Sequence, residues 1–164
     1  MNGPDELSGV RAWLDRARSV EAPRDERHLG FVADFSYIDG PFEWAEAALS
    51  ETEDGWIEAA RGAARSCGFS FAAREPRPAR AALVIPVRLF RPDPEGISEI
   101  EGDLELTALE NSRCRLSMSC RYRTAISPSQ TPIEWMKAQR SIELALREIL
   151  KAIGRLLSPV AEES

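Results

Sequence analysis

Two phenols, one imidazole, three thiols and scattered carboxylates are the groups in this 164-residue chain from which chemistry could be built. His28 is the sole histidine and sits in a charged connector, so no serine or cysteine has an imidazole partner within a recognisable nucleophile motif. Cys67, Cys114 and Cys120 lack metal-ligand spacing, and the last two lie on one face of one strand, ~20 Å apart at strand rise, too far to bond each other. They read as small apolar fillers in a reducing compartment. Asp34, Asp39 and Glu43 are the acids that could meet as a pair for acid–base work. Glu99, Glu101, Asp103 and Glu105 point the same way along a strand and do not converge on a metal. There is no glycine-rich phosphate loop and no internal repeat. The expectation is no catalytic set, no metal and no cofactor. Tyr37 and Tyr122 remain: on a dry face each phenol needs a hydrogen-bond partner, a ligand or a backbone carbonyl.

Both tyrosines lie in strand patterns. From Ile97 to Tyr122 the acids alternate with Ile100, Leu104 and Leu106, and after the polar join Glu110-Asn111-Ser112 the basic and serine residues alternate with Cys114, Leu116, Met118, Cys120 and Tyr122. That is a hairpin with one wet and one dry face. Pairing Leu109 with Arg113 sets Glu101 opposite Arg121 and Glu99 opposite Arg123. Leu29 to Ile38 alternates as well, with Phe31, Ala33, Phe35 and Tyr37 apolar. Ala81 to Phe90 is apolar on both parities and reads as a central strand, with Pro86 requiring a bulge or an edge. Phe69 and Phe71 mark a brief strand, and Arg74 to Pro78 an extended loop.

Helices complete the chain. Pro4 to Val20 is amphipathic through Leu7, Val10, Leu14 and Ala17, and a charged connector follows it. Two short helices come after Asp39-Gly40-Pro41, one with a face of Trp44, Ala47 and Ala48, the next from Trp56 to Ser66 and closed by Gly68. Thr131, Pro132 and Glu134 form a capping box for a long helix ending at Leu157. Its stripe is Ile142, Ala145, Leu146, Ile149, Leu150, Ile153, Leu156 and Leu157. Leu144 lies off that stripe, and Gly154 inside the helix suggests that another backbone comes close.

Composition bounds the rest. A net charge of −6 gives no global attraction to phosphate backbones, and in-register acids neutralise the hairpin arginines, so nucleic acid is set aside. No apolar run reaches the ~18 residues of a membrane span, and the N-terminus is acidic where a signal peptide would be basic, which places the protein in the cytoplasm. The expected organisation is an N-terminal helix and connector over 1–27, one domain over 28–158 and a disordered tail over 159–164.

The order of strand, two short helices, antiparallel strands and one long terminal helix resembles the helix-grip or START-like superfamily, SRPBCC, which includes polyketide cyclase-like and Bet v 1-like proteins. The stretches Ile85-Pro86-Val87-Arg88-Leu89, Glu101-Gly102-Asp103-Leu104-Glu105-Leu106 and Arg115-Leu116-Ser117-Met118-Ser119-Cys120-Arg121-Tyr122 are similar to the late strands of uncharacterised bacterial members. Gln139 to Leu157 is similar to their last helix. The resemblance covers about residues 29 to 157. It implies an α+β fold in which a curved antiparallel sheet grips the terminal helix, often around a lipid, sterol, polyketide or other apolar ligand.

On that frame the expected inner wall includes Phe35, Tyr37, Phe71, Leu104, Met118, Cys120 and Tyr122, with Ile142 and Leu146 from the helix and Trp135 near its start. Alternation leaves both a ligand cavity and a solid core open. The first expectation is binding of an apolar or amphipathic small molecule without catalysis. The alternative is an interaction or secretion-chaperone-like module with a packed core, which leaves room for a protein partner or a homodimer. A cyclase or hydrolase using Tyr37 or Tyr122 is a third reading.

Overall fold

The computed structural model describes residues 27–51, 55–91, 97–125 and 132–158. The expected N-terminal helix, the Thr131 cap and the C-terminal tail lie outside them. Among the described residues there are six strands and three helices: β1 (Arg27–Asp39), α1 (Phe42–Ser50), α2 (Trp56–Ser66), β2 (Ser70–Ala73), β3 (Arg77–Ala79), β4 (Ala82–Phe90), β5 (Ile97–Leu109), β6 (Arg113–Ala125) and α3 (Pro132–Leu157). All six strands join one antiparallel sheet in the order β1-β6-β5-β4-β2, and β3 pairs with β4 beside β2.

The hairpin register is the expected one. Leu109 pairs with Arg113, Glu101 with Arg121 and Glu99 with Arg123, with a bulge only at the start of β5. Asn111 and Ser112 take positive φ to turn the chain, a conformation that costs little at asparagine. Pro86 is accommodated without an edge or a bulge. Its carbonyl accepts from Arg74 N–H at 2.9 Å, so the missing N–H faces the gap between β2 and β3, where no ladder bond is required. β3 itself falls in the stretch expected as an extended loop.

Each helix buries a narrow face. Trp56, Ala60 and Ala64 are buried on α2, and its C-terminus closes with Gly68 at φ +85°, Gly68 N–H donating to Arg65 O and Phe69 N–H to Ala64 O. Those two bonds form a Schellman closure. On α1 the buried residues are Ala45 and Leu49; Trp44 and Ala47 face solvent, contrary to the expected face, because Leu49 rather than Trp44 meets the core. Trp56 Nε1–H donates to Leu49 O at 3.0 Å and ties α1 to α2.

The long helix α3 buries Ile142, Ala145, Leu146, Ile149, Leu150, Ile153 and Leu157 against the sheet, β1 and α2. Leu156, expected on the stripe, is half exposed at its margin, and so is Leu144, which lies off the stripe. The approach to Gly154 is looser than expected: a Cβ there would meet only Ser36 Oγ, at 3.9 Å, and no backbone.

Candidate functional site: the inner face beneath the long helix

The hairpin residues turned toward α3 are those that alternation selects. Leu104 pairs with Met118 and with Ile85, Leu106 with Leu116, and all five are buried with no surface a water molecule can touch or almost none. Cys120 and Tyr122 continue the wall along β6, and Ile142 and Leu146 meet it from α3. Phe71 is buried farther away on β2, edge-on to Trp56 with ring centroids 6.1 Å apart. Trp135 lies in the first turns of α3, and its side chain is outside the described residues.

Two expected wall residues are elsewhere. Phe35 and Tyr37, together with Phe31, stand on the outer face of β1 at 54, 52 and 66 % exposure. In the β1–β6 register odd residues pair with odd and even with even, and β6 turns its even residues inward, so β1 presents Gly30, Val32, Asp34, Ser36 and Ile38 to the interior. Small and polar residues suit that position, because β1 is pressed against a neighbouring side chain and against α3. A Cβ on Gly30 would overlap the Tyr122 ring. Asp34 Oδ2 lies 3.7 Å from Arg147 Nε, and Ser36 lies beneath Gly154. The same alternation separates two of the acids: Asp34 faces inward to Arg147 and Asp39 outward to Arg113, at 3.3 Å, so these two do not pair. Among the described residues no group of three metal-ligating side chains converges.

One polar thread runs out of this apolar wall. The Tyr122 hydroxyl donates to Gln139 Oε1 at 2.9 Å, and Gln139 Nε2 donates to Glu143 Oε1 at 3.2 Å, on an exposed residue. Burial, then the nearby Glu143 carboxylate, holds the Tyr122 phenol above its ordinary pKa, so it stays a protonated donor. The partner is thus a side-chain amide and not the backbone carbonyl that the sequence left open beside a ligand. Gln139 was missed in the sequence, although a glutamine one turn before Ile142, at the margin of an apolar stripe, is the signal that marks it. Ile133 and Met136, in the two turns before Gln139, are exposed. Cys120, beside Tyr122 on the wall, has its thiol pushed up to about 12 by burial and then by the Asp103 charge, so it is no nucleophile at neutral pH.

No family model matches the chain, and no curated protein does. Solved structures do. Norcoclaurine synthase from Thalictrum flavum, in complex with dopamine and hydroxybenzaldehyde, matches with a TM-score of 0.52 and 10% identity over 84% of this chain and 90% of that one. A second structure of the same enzyme matches with a TM-score of 0.51 and 10% identity, covering 83% and 88% of the two chains. An aromatase/cyclase from Streptomyces is similar at a TM-score of 0.45 and 13% identity, with 81% and 98% covered. The chain has the helix-grip α+β fold, as its element order and sheet topology require.

Proposed function

We propose that this protein binds an amphipathic small molecule between the inner face of the sheet and the first half of α3, with the polar end of the ligand taking the place of Gln139 on the Tyr122 hydroxyl. The observation that carries this reading is the Tyr122–Gln139 hydrogen bond. It joins the apolar stretch of Leu116, Met118 and Cys120 on β6 to α3, and its acceptor is a side-chain amide on a helix instead of backbone. A ligand hydroxyl, carbonyl or carboxylate can accept from the same phenol at little net cost, because one hydrogen bond replaces another.

The wall is closed in the free protein, so the site opens by displacement of the first turns of α3. Ile133 and Met136, already in water, are the apolar surface that such a mouth presents. The likeness in fold to norcoclaurine synthase, solved in complex with dopamine and hydroxybenzaldehyde, supports a small molecule as the ligand. No group in the described wall supplies a nucleophile with a base, and the reading is binding without turnover.

Titration with dansylated undecanoic acid, an apolar chain with a polar end, tests it. Saturable binding at one site per chain is expected, weakened roughly fivefold in Tyr122→Phe, the loss of about one hydrogen bond. Absence of saturable binding, or binding indifferent to Tyr122→Phe, contradicts it.

A further inference from the structure

The outward side of α3 sorts its charges by sign. At 100° per residue all five cations of the helix, Lys137, Arg140, Arg147, Lys151 and Arg155, fall within an arc of about 80°, opposite the buried stripe of Ile142, Ile149 and Ile153. The positions of its three acids, Glu134, Glu143 and Glu148, all fall outside that arc. A helix face that is merely solvated ordinarily mixes the two signs through i,i+4 pairs. Two of the cations do have acidic neighbours, Arg147 Nε at 3.7 Å from Asp34 and Lys151 Nζ at 3.5 Å from Glu148. Both cations stay more than half exposed, so their charge remains at the surface. Lys137, Arg140 and Arg155 are exposed as well.

The row is not purely charged. Ile133, Met136 and Leu144, each exposed by half or more, lie on the same side of the helix, and an arc of about 100° holds them together with the cations.

From this face we infer that the protein docks on the surface of an anionic lipid bilayer, with α3 lying in the plane of the membrane. Charge complementarity selects an anionic partner. On a chain of net charge −6 this row is a concentrated positive strip, which turns α3 toward a negative surface and the acidic remainder away from it. Each Lys or Arg beside such a surface favours binding by roughly fivefold, and the row runs about 27 Å from Lys137 to Arg155, long enough to meet several headgroups at once. The apolar members select the class of partner. A nucleic acid offers the same phosphate charge but leaves Ile133, Met136 and Leu144 in water. A bilayer receives such side chains about 5–10 Å into its headgroup and acyl boundary. The long apolar stripe of α3 stays on the sheet, so the helix rests on the membrane without entering it. This docking uses the outward side of α3 and does not require the proposed ligand site, whose mouth at Ile133 and Met136 it would bring to the bilayer.

Co-sedimentation of the full-length chain with unilamellar vesicles tests the inference. Vesicles of phosphatidylcholine with about 30% phosphatidylserine, at roughly 0.1 M salt, are expected to bind it at least tenfold more tightly than pure phosphatidylcholine, with several-fold loss at about 0.5 M salt. Arg140→Glu with Lys151→Glu, both at exposed positions, is expected to weaken that binding at least ~30-fold with unchanged circular dichroism. Arg115→Glu, exposed on the opposite face of the sheet, is expected to leave it unchanged. Leu144→Ser is expected to weaken it about threefold, and free phosphoserine at about 5 mM is expected not to compete, which separates a bilayer from a soluble phosphate. Absence of binding to the anionic vesicles overturns the proposal, as does equal binding to neutral ones or a loss in Arg115→Glu as large as in the double variant. Competition by phosphoserine overturns it too, and so does binding to a DNA duplex of about 30 base pairs as tight as to the vesicles.

Discussion

Tyr122 shows how one side chain joins core and site. Its ring fills the space left by Gly30, and its hydroxyl leaves the apolar wall through Gln139. Tyr122→Phe keeps the ring and removes the donor, so urea denaturation is expected to show a loss of about 1 kcal/mol, the typical net value of such a bond. Cys120 gives a pH signature. An unfolded thiol titrates near its ordinary value of 9.0 while the buried one is raised to about 12. Between these values the unfolded chain releases a proton that the folded chain keeps. Stability is therefore intact below pH 9 and falls by ~1.4 kcal/mol per pH unit above it. Cys120→Val is expected to flatten that alkaline slope in pH-dependent denaturation, while Tyr122 adds its own loss above its ordinary pKa near 10. Gly154→Ala is expected to raise stability by ~1 kcal/mol, since the added methyl meets Ser36 Oγ at an ordinary 3.9 Å and the helix loses its most flexible residue. A lower urea midpoint in that variant would show that α3 and β1 cannot accept the methyl. At this level the sequence was legible for Leu104, Met118, Cys120 and Tyr122. It misled for Phe35 and Tyr37, because alternation separates two faces without saying which one is inside. Apolar character pointed the wrong way there. The informative residues were the small ones, Gly30 and Ser36, which leave room for Tyr122 and α3.

Secondary structure was more readable than side-chain destinations because its signals are local. The three-residue turn at Glu110-Asn111-Ser112 fixes the hairpin register, and with it every cross-strand pair from Leu109 to Glu99. The long helix runs between Pro132 and Leu157, the bounds its stripe and its flanking prolines predict. Gly68 closes α2 for a reason visible in the chain: φ +85° is a left-handed conformation that glycine enters freely. Gly68→Ala is expected to cost ~1–2 kcal/mol in thermal or urea denaturation, with Phe69 N–H and Gly68 N–H losing their carbonyl partners if the closure opens. β3 could not be read, since three residues that follow Pro76 and include Pro78 carry no periodicity. Its existence is decided by the partner strand β4, which offers ladder positions at Ala82, Leu83 and Val84.

The molecule as a whole places two unlike surfaces on one sheet. The inner one is apolar, closed and threaded by Tyr122, Gln139 and Glu143, and the outer one is charged across β5 and β6 but aromatic along β1. Helix-grip topology was legible from element order, whereas which aromatic residues belong to the interior depended on the strand that pairs with β1, a non-local fact. Among the described residues no helix is long and apolar enough to cross a membrane. The proposed binding site rests on the buried inner face and on the Tyr122–Gln139 side-chain bond that joins it to α3. Methionine methyl NMR can watch that face, because the chain has only three methionines and one of them, Met118, lies in the wall while Met136 stands in water beside the proposed mouth. On titration with dansylated undecanoic acid the Met118 signal is expected to shift in saturable fashion, reaching a new position at one equivalent per chain. A Met118 signal that stays fixed while Met136 alone responds, or while neither moves, would place the ligand outside the grip and contradict the reading.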